Sequence, residues 1–363
     1  VYVMRNALTT HSRREEEKSF LDPKIILFFI LIIRHTQRVG IAQPYLRIFI
    51  MSHNIETFVY SGEPAWHGLG IEIPADLTPA QVLKKAELSW TVDKVPATIE
   101  LNGERVEINR QALVRSSDQR VLSVVTDEWE PVQNETAFEF FHDFVMAGDM
   151  QMHTAGSLRQ GEIVFALAKI NDSFEVFGGD LVEAHLLFTN FHQFGMATDI
   201  RFTPTRVVCN NTLDLALNGM SSQWFKASHR TAFNPEVAKL ALGIVSKKMG
   251  TYKEAAEFLG SKRYTEETVT NYFDTIFPIS STKDSTERKL SKNTKVALEM
   301  LDRQPGAEFA PGSWWNAFNA TTFMADHMLG RNQENRLQSS WYGSNKILKV
   351  NALEKAVEFA NAA

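Results

Sequence analysis

The residues best suited to chemistry lie in one stretch, Thr198 to Leu217, which reads TDIRFTPTRVVCNNTLDLAL. Its first half alternates polar and apolar residues, the pattern of a half-buried strand. Its second half is typical of a helix with one buried side, and Asn211 could cap that helix. Arg206 and Asn210 lie at the junction with Asn211. Such a junction favours an anion or nucleotide site. The alternative is that Asn211 only caps the helix and Arg206 pairs with an acid.

Basic and aromatic residues follow this junction closely. Trp224, Lys226 and Arg230 lie within one short segment of the chain. Single-strand binding proteins use such a mixture, because cations hold the phosphates and aromatic rings stack on the bases. Together with the three junction residues, these side chains predict a site for single-stranded nucleic acid. The alternative is that the cations only line solvated surfaces.

A second polar group lies near the carboxyl terminus, on a helix predicted over 313–329. Asn319, Thr322 and Asp326 are spaced i, i+3 and i+7, so they share one face of that helix, and His327 follows directly. Such a stripe could hold a nucleotide, a metal ion or a partner. It could equally form a hydrogen-bonded seam between this helix and the β-rich part of the chain.

Scattered histidines and acids offer a further hypothesis, a metal-dependent hydrolase or nuclease. The residues available for its site are His67, His192, Asp199, Asp326 and His327. Their positions match no metal-ligand spacing, and the chain has neither a phosphate-binding loop nor a dinucleotide fingerprint. Its single cysteine, Cys209, excludes a cysteine-rich zinc site and an internal disulfide. The sequence therefore indicates neither a metal nor a cofactor.

Several sequence blocks give the chain a resemblance to a known family. The central block is TPTRVVCNNTL at 203–213; the others are AWHGLG at 65–70, PVQN at 131–134, TAGSLR at 154–159 and WWNAFNATT at 314–322. In this order they resemble the phage/plasmid-like proteins of the domain of unknown function 932 family. The resemblance implies a role in phages or plasmids, and no particular reaction. The family tends to show Ser-His-Asp-Gly where this chain has Phe191-His192-Gln193-Phe194-Gly195, so no role can be carried over for that Asp.

The composition indicates a globular protein whose positive charge is local. The chain has 363 residues, 44% of them hydrophobic, and a net charge of −5. Residues 1–50 hold eight Lys/Arg and four Asp/Glu, so residues 51–363 hold 30 and 39 and carry a net charge of −9. Such an acidic body disfavours indiscriminate nucleic-acid binding, so any phosphate contact must come from a local patch. A single cysteine fits a reducing cytoplasm.

The first fifty residues differ from the rest of the chain. Their one apolar run, Ile25 to Ile33, has nine residues between Lys24 and Arg34. A bilayer-spanning helix needs about 20, so no membrane is predicted. We interpret residues 1–50 as a mistranslated leader or a disordered extension, and Met51 as the first residue of the protein. The alternative is a basic extension that touches a membrane.

The remainder predicts an α+β protein, with a mainly antiparallel β-sheet body and packed helices over 51–220 and a helical segment over 221–363. We expect a single sheet from 90 to 217, with a hairpin at Asn102-Gly103. Pro204 should fall at a bend or a sheet edge. Against this sheet we expect helices over 135–147, capped by Asn134, and over 211–218.

Further helices are predicted from caps and periodicity. Thr78 and Pro79 should open the earliest of them, and Thr251 should cap another. The later helical patterns cover 236–249, 253–259, 265–273, 290–301, 313–329 and 352–360. The polar segment 279–292 between them lacks periodicity and is predicted to be a mobile loop.

Three functions remain open. The first is a single-stranded DNA binding or annealing factor for phage or plasmid replication. The second is the metal-dependent hydrolase or nuclease. The third is a non-enzymatic accessory protein that binds a phage or host replication protein, and in each case the chain could form a homo-oligomer.

Overall fold

The computed structural model describes residues 55–62, 70–206, 211–212, 225–227, 229, 245–279 and 290–362. At 206, 211–212, 225–227, 245–248 and 333–334 the description concerns the backbone. The leader interpretation of residues 1–50 and the mobile loop predicted over 279–292 fall wholly or largely outside these ranges.

A large sheet forms the centre of the protein. Its strand order is β10-β9-β8-β7-β6-β1-β2, and β11 also pairs with β9. All of its pairings are antiparallel except that of β1 with β2. The strands are β1 Ile55–Tyr60, β2 Ile71–Glu72, β6 Met150–Leu158, β7 Ile163–Val176, β8 Asp180–Phe191, β9 Thr198–Arg206, β10 Asn211–Thr212 and β11 Phe225–Ala227.

A second, three-stranded sheet contains β3 Val92–Leu101, β4 Glu104–Arg115 and β5 Val121–Val125. The hairpin at Asn102-Gly103 is confirmed, and both residues have the positive φ angles, 55° and 83°, that its tight turn requires. The single sheet expected over 90–217 is wrong. One physical reason lies at the start of β3, where the Gln133 side chain hydrogen-bonds both the N–H and the carbonyl of Val92 and thus occupies the place of a neighbouring strand.

Arg115 links the two sheets. Its guanidinium makes two hydrogen bonds to Asp118 and one to Glu56 on β1, and it lies over the Trp90 ring at 5.4 Å. The hydrogen bond from Arg115 holds the pKa of the Asp118 carboxyl well below its usual range. A Cβ on Gly161 would come within 2.8 Å of this guanidinium, so the turn between β6 and β7 needs glycine there.

The helices before the central strands follow the predictions in part. Helix α1, Pro79–Lys85, begins with the predicted Thr78 cap, and the Gln81 side chain completes the capping box. The helix expected over 135–147 is instead two short ones, α2 Asn134–Glu139 and α3 His142–Met146. Asn134 does not cap α2, because its amide points inward and donates to the carbonyls of Leu88 and Trp90.

The carboxyl-terminal region is mainly helical from 245 onward, although strand β11 lies within the segment 221–363 that was predicted to be helical. Its helices are α4 Val245–Ser261, α5 Glu266–Ile276, α6 Lys292–Arg303, α7 Trp314–Phe323, α8 Gln333–Tyr342 and α9 Ser344–Ala362, and a π-helical turn over Met324–Met328 extends α7. Thr251 lies inside α4 and not at its amino terminus, which corrects the predicted capping box. Helix α8 was not expected, because its sequence is polar and lacks a clear apolar stripe.

Helices cover both faces of the central sheet. On one face, β7 contributes Val164, Ala166 and Ala168 to the main core, which also contains Tyr252 of α4 and Trp315 of α7. On the other face, Ile163, Phe165 and Leu167 pack with Leu337 and Trp341 of α8. These helices therefore enclose the middle strands, and the α+β class is confirmed.

Strands β1 and β6 approach each other closely. A Cβ on Gly156 would overlap the carbonyl oxygen of Thr57. Gly156 belongs to the TAGSLR block, so a packing requirement accounts for the glycine of that block. Thr154 to Leu158 lie within β6, and only Arg159–Gly161 form the turn to β7.

No helix in the described ranges is both long enough and apolar enough to cross a bilayer.

Candidate functional site

The outer edge of β9, the side away from β8, brings together three of the predicted nucleic-acid-binding residues. Asn211 on β10 lies opposite Arg206, and Lys226 on β11 lies opposite Asp199. At about 3.3 Å per residue, the seven steps from Asp199 to Arg206 span about 23 Å. Strand pairing thus places residues from three separate segments along one extended edge.

The middle of this edge has no strand beside it in the part of the chain that the structure describes. Strand β11 pairs with Thr198–Ile200 and β10 with Thr205–Arg206, which leaves 201–204 between them. Pro204 lies in this gap and has no N–H to offer a neighbouring strand. Its position beside an open edge agrees with the prediction for this proline.

One prediction for this edge is wrong. Asn211 does not cap a helix over 211–218, because Asn211 and Thr212 form a strand that pairs with β9. The remainder of the helix predicted over 211–218 lies outside the described residues. The remaining candidates, Asn210, Trp224, Arg230 and His67, lie outside the described residues.

Arg201, a neighbouring cation on β9, is held within the protein. It forms an ion pair with Asp199, donates from Nη1 to the carbonyl oxygen of Trp341 at 2.6 Å, and lies over the Tyr342 ring at 5.5 Å. The Asp199 carboxylate is buried. These contacts hold α8 against the sheet, so Arg201 has a structural role.

His192 belongs to a buried hydrogen-bond network. Its ring packs beside the Trp90 ring, with centroids 5.4 Å apart. Its Nε2 lies 3.0 Å from Asn134 Oδ1. Because the Asn134 amide nitrogen already donates to two carbonyls, Oδ1 accepts and Nε2–H donates. Burial, and secondarily the charge of His229, lowers the pKa of His192 to about 3. The ring is therefore neutral at physiological pH.

A pair of neighbouring histidines, of which His185 is buried and His153 half-buried, was not predicted from the sequence. His153 on β6 and His185 on β8 meet edge to face, with ring centroids 5.3 Å apart. Beside them, Lys169 and Glu183 form an ion pair of 2.5 Å. Burial lowers the pKa of both rings, that of His185 to about 3. A β-hairpin through Gly178-Gly179 creates this grouping, and those two glycines were the signal that could have revealed it.

The polar stripe of the carboxyl-terminal helix is buried and hydrogen-bonded. Asn319 donates to the carbonyl of Trp315 at 2.9 Å, and Thr322 donates to that of Asn319 at 3.0 Å. The Asp326 carboxylate receives Lys349 Nζ at 2.7 Å and Ser340 Oγ at 2.5 Å.

The hydrogen bonds of Asn319 and Thr322 stay within α7, whereas Asp326 receives one from α8 and one from α9. The stripe therefore ends in a seam between α7, α8 and α9. Both charged side chains of the Asp326–Lys349 pair are at most 1% exposed. His327 lies at the end of the seam, where its ring stacks on Phe323 at 4.5 Å. In the sequence, Lys349 is a lone cation within the mainly apolar run ILKVNAL, and this position could have indicated a buried ion pair.

Three of the residues suggested for a metal-dependent site each interact with a different partner. His192 bonds to Asn134, Asp199 pairs with Arg201, and Asp326 pairs with Lys349. Across the described ranges, no group of three or more His, Cys, Asp or Glu side chains is arranged to hold a metal ion. The geometry thus gives the hydrolase hypothesis no support.

The fold and these residues define an α+β protein with a long antiparallel sheet and a helical carboxyl-terminal region. The family model of a domain of unknown function, DUF932, matches residues 121–341, so the chain belongs to this family. The match covers the central strands from β6 to β9 and ends within α8. No curated protein and no solved structure matches the chain.

Proposed function

We propose that the protein binds single-stranded nucleic acid along the outer edge of β9, as a DNA-binding or annealing factor in phage or plasmid replication. The observation that supports the proposal most is strand register. Arg206 and Lys226 are 20 residues apart in the sequence, yet pairing with β9 brings them to the two ends of the same strand edge, seven β9 positions apart, and Asn211 lies opposite Arg206. Two cations and an amide donor along an extended backbone suit a chain of phosphates.

The net negative charge of residues 51–363 favours a nucleic-acid site that is confined to one local patch. Because residues 51–363 carry a net charge of −9, phosphates are repelled by most of the surface and can be held only where cations are grouped. Trp224 precedes β11 directly and supplies an aromatic ring for base stacking. A flexible single strand can follow one strand edge, whereas a stiff duplex would bring more phosphates against the acidic surface.

Fluorescence anisotropy with a labelled oligonucleotide of mixed sequence at low salt tests the proposal. Wild type should bind the single strand more tightly than the duplex. Arg206→Ala should weaken binding to all sequences alike, and Arg206→Lys should retain most of the affinity, because a phosphate contact requires chiefly the charge.

The matched control is Arg303→Ala. Arg303 is an exposed cation on α6 in an ion pair with Glu299, so its loss should leave the affinity unchanged. Absence of single-strand binding by wild type at low salt would contradict the proposal. If Arg206→Ala unfolds the protein by circular dichroism, Arg206 is a structural ion-pair partner and the proposed role is wrong.

A further inference from the structure

The hairpin of β3 and β4 projects from the protein as a two-stranded ribbon, defined here as residues 93–112. None of the strand residues in 93–101 and 104–112 is buried, whereas Val92 and Leu113, next to its base, are. Both faces of the ribbon therefore meet solvent over most of its length. An isolated two-stranded ribbon is marginally stable at best, so a ribbon of this length gains from a further contact.

One face of the ribbon carries an exposed apolar stripe. Val95, Ile99 and Leu101 alternate along β3 and are 44%, 46% and 56% exposed. Val106 lies opposite Ile99, and on the neighbouring β5 Val124 extends the row of Val95. A continuous apolar surface of this kind on a soluble strand pair is typical of an interaction site.

The charges of the ribbon disfavour a nucleic-acid partner and suit a second copy of the ribbon itself. From 93 to 112 the chain holds three basic and four acidic residues, namely Lys94, Arg105, Arg110, Asp93, Glu100, Glu104 and Glu107. Glu100, Glu104 and Glu107 lie in the half near the tip and Asp93 lies at the base, where Lys94 is paired with Glu130. Glu104 near the tip and Arg110 towards the base alternate with Val106 along β4, so both share the face of the apolar stripe. Two ribbons related by a two-fold axis perpendicular to their length run in opposite directions, so Glu104 of each would face Arg110 of the other.

We propose that the ribbon is a dimerisation arm, which packs its apolar face against that of a second copy of this chain in an antiparallel, two-fold arrangement. The packing removes Val95, Ile99, Leu101 and Val106 from water. Glu104 of each copy then lies near Arg110 of the other. This proposal does not depend on nucleic-acid binding.

Sedimentation equilibrium of the full chain tests the arm. Wild type should form a dimer, and Ile99→Glu or Val106→Glu should weaken it about a hundredfold or more, because each dimer would bury two unpaired carboxylates. Both side chains are exposed in one chain, so the variants should keep the wild-type circular dichroism spectrum. The control Ile347→Glu, at a 70% exposed position on α9, should dimerise as wild type does.

A charge exchange tests the antiparallel arrangement separately. Glu104→Arg and Arg110→Glu should each weaken the dimer, and the double variant should recover it. A wild type that remains monomeric at the highest attainable concentration would overturn the proposal. So would a dimer that survives Ile99→Glu, or a double variant that is no better than either single one.

Discussion

Two polar regions of the protein, the α7–α8–α9 seam and the outer edge of β9, use similar residue types in different ways. In the seam, Asp326 and Lys349 are buried and satisfy each other. At the edge, strand pairing aligns Arg206 and Lys226 along a backbone whose middle has no neighbouring strand among the described residues. Helical spacing brings polar groups onto one face whether that face meets solvent or another helix. Strand pairing, by contrast, brings residues that are distant in sequence to the same edge of a sheet.

The largest expected effect lies in the seam. Lys349→Met leaves the Asp326 carboxylate buried without its counter-ion, which should lower the free energy of unfolding by about 3–5 kcal/mol. Urea denaturation monitored by circular dichroism measures the change. Lys355→Met, which removes a partly exposed ion pair with Glu358 on the same helix, should cost no more than about 1 kcal/mol.

The double variant Asp326→Leu/Lys349→Met sharpens this prediction, because it removes both charges together. Its stability should return close to that of wild type. A Lys349→Met protein as stable as wild type would show that the pair is not a structural element, and the contrast between the two regions would fail.

The next effect is the loss of stability in acid. The folded protein holds His185 and His192 with pKa values of about 3, well below the usual value for histidine of about 6.5. Between these values the unfolded chain binds protons that the folded chain does not, so stability falls as the pH falls below about 6.5. Each ring contributes about 1.4 kcal/mol per pH unit at most.

Urea denaturation at a series of pH values checks this expectation. His185→Gln should flatten the dependence between about pH 6 and pH 4, because it removes one of the protons that the unfolded chain binds and the folded chain does not. His142→Gln, at an exposed position, is the control for the replacement of a histidine by glutamine. A wild-type stability that stays constant over this range would contradict the burial of both rings.

The features that could be predicted from the sequence are the local ones. The Thr78 cap and the Asn102-Gly103 turn depend on neighbouring residues, and both are confirmed. The α+β class follows from the order of strand and helix patterns. Pro204 could be placed at an open edge because its missing N–H is a property of the residue itself.

The features that were missed depend on contacts between distant segments. Asn211 has a favourable capping side chain, but pairing with β9 determines its conformation. Lys349 and Asp326 are 23 residues apart, and only the packing of α9 against the end of α7 joins them. The division into two sheets likewise depends on Gln133, which occupies the edge of β3 from 41 residues away.

The central claim is that the cations along the outer edge of β9 hold phosphates, and the salt dependence of single-strand binding tests it most directly. The slope of log affinity against log salt concentration should flatten by about 0.7 in Arg206→Ala and by about 1.4 in Arg206→Ala/Lys226→Ala, since each neutralised phosphate on a single strand contributes about 0.7. Trp224→Ala should instead lose about 1–3 kcal/mol of affinity with the slope unchanged. A folded double variant with the wild-type slope would contradict the claim.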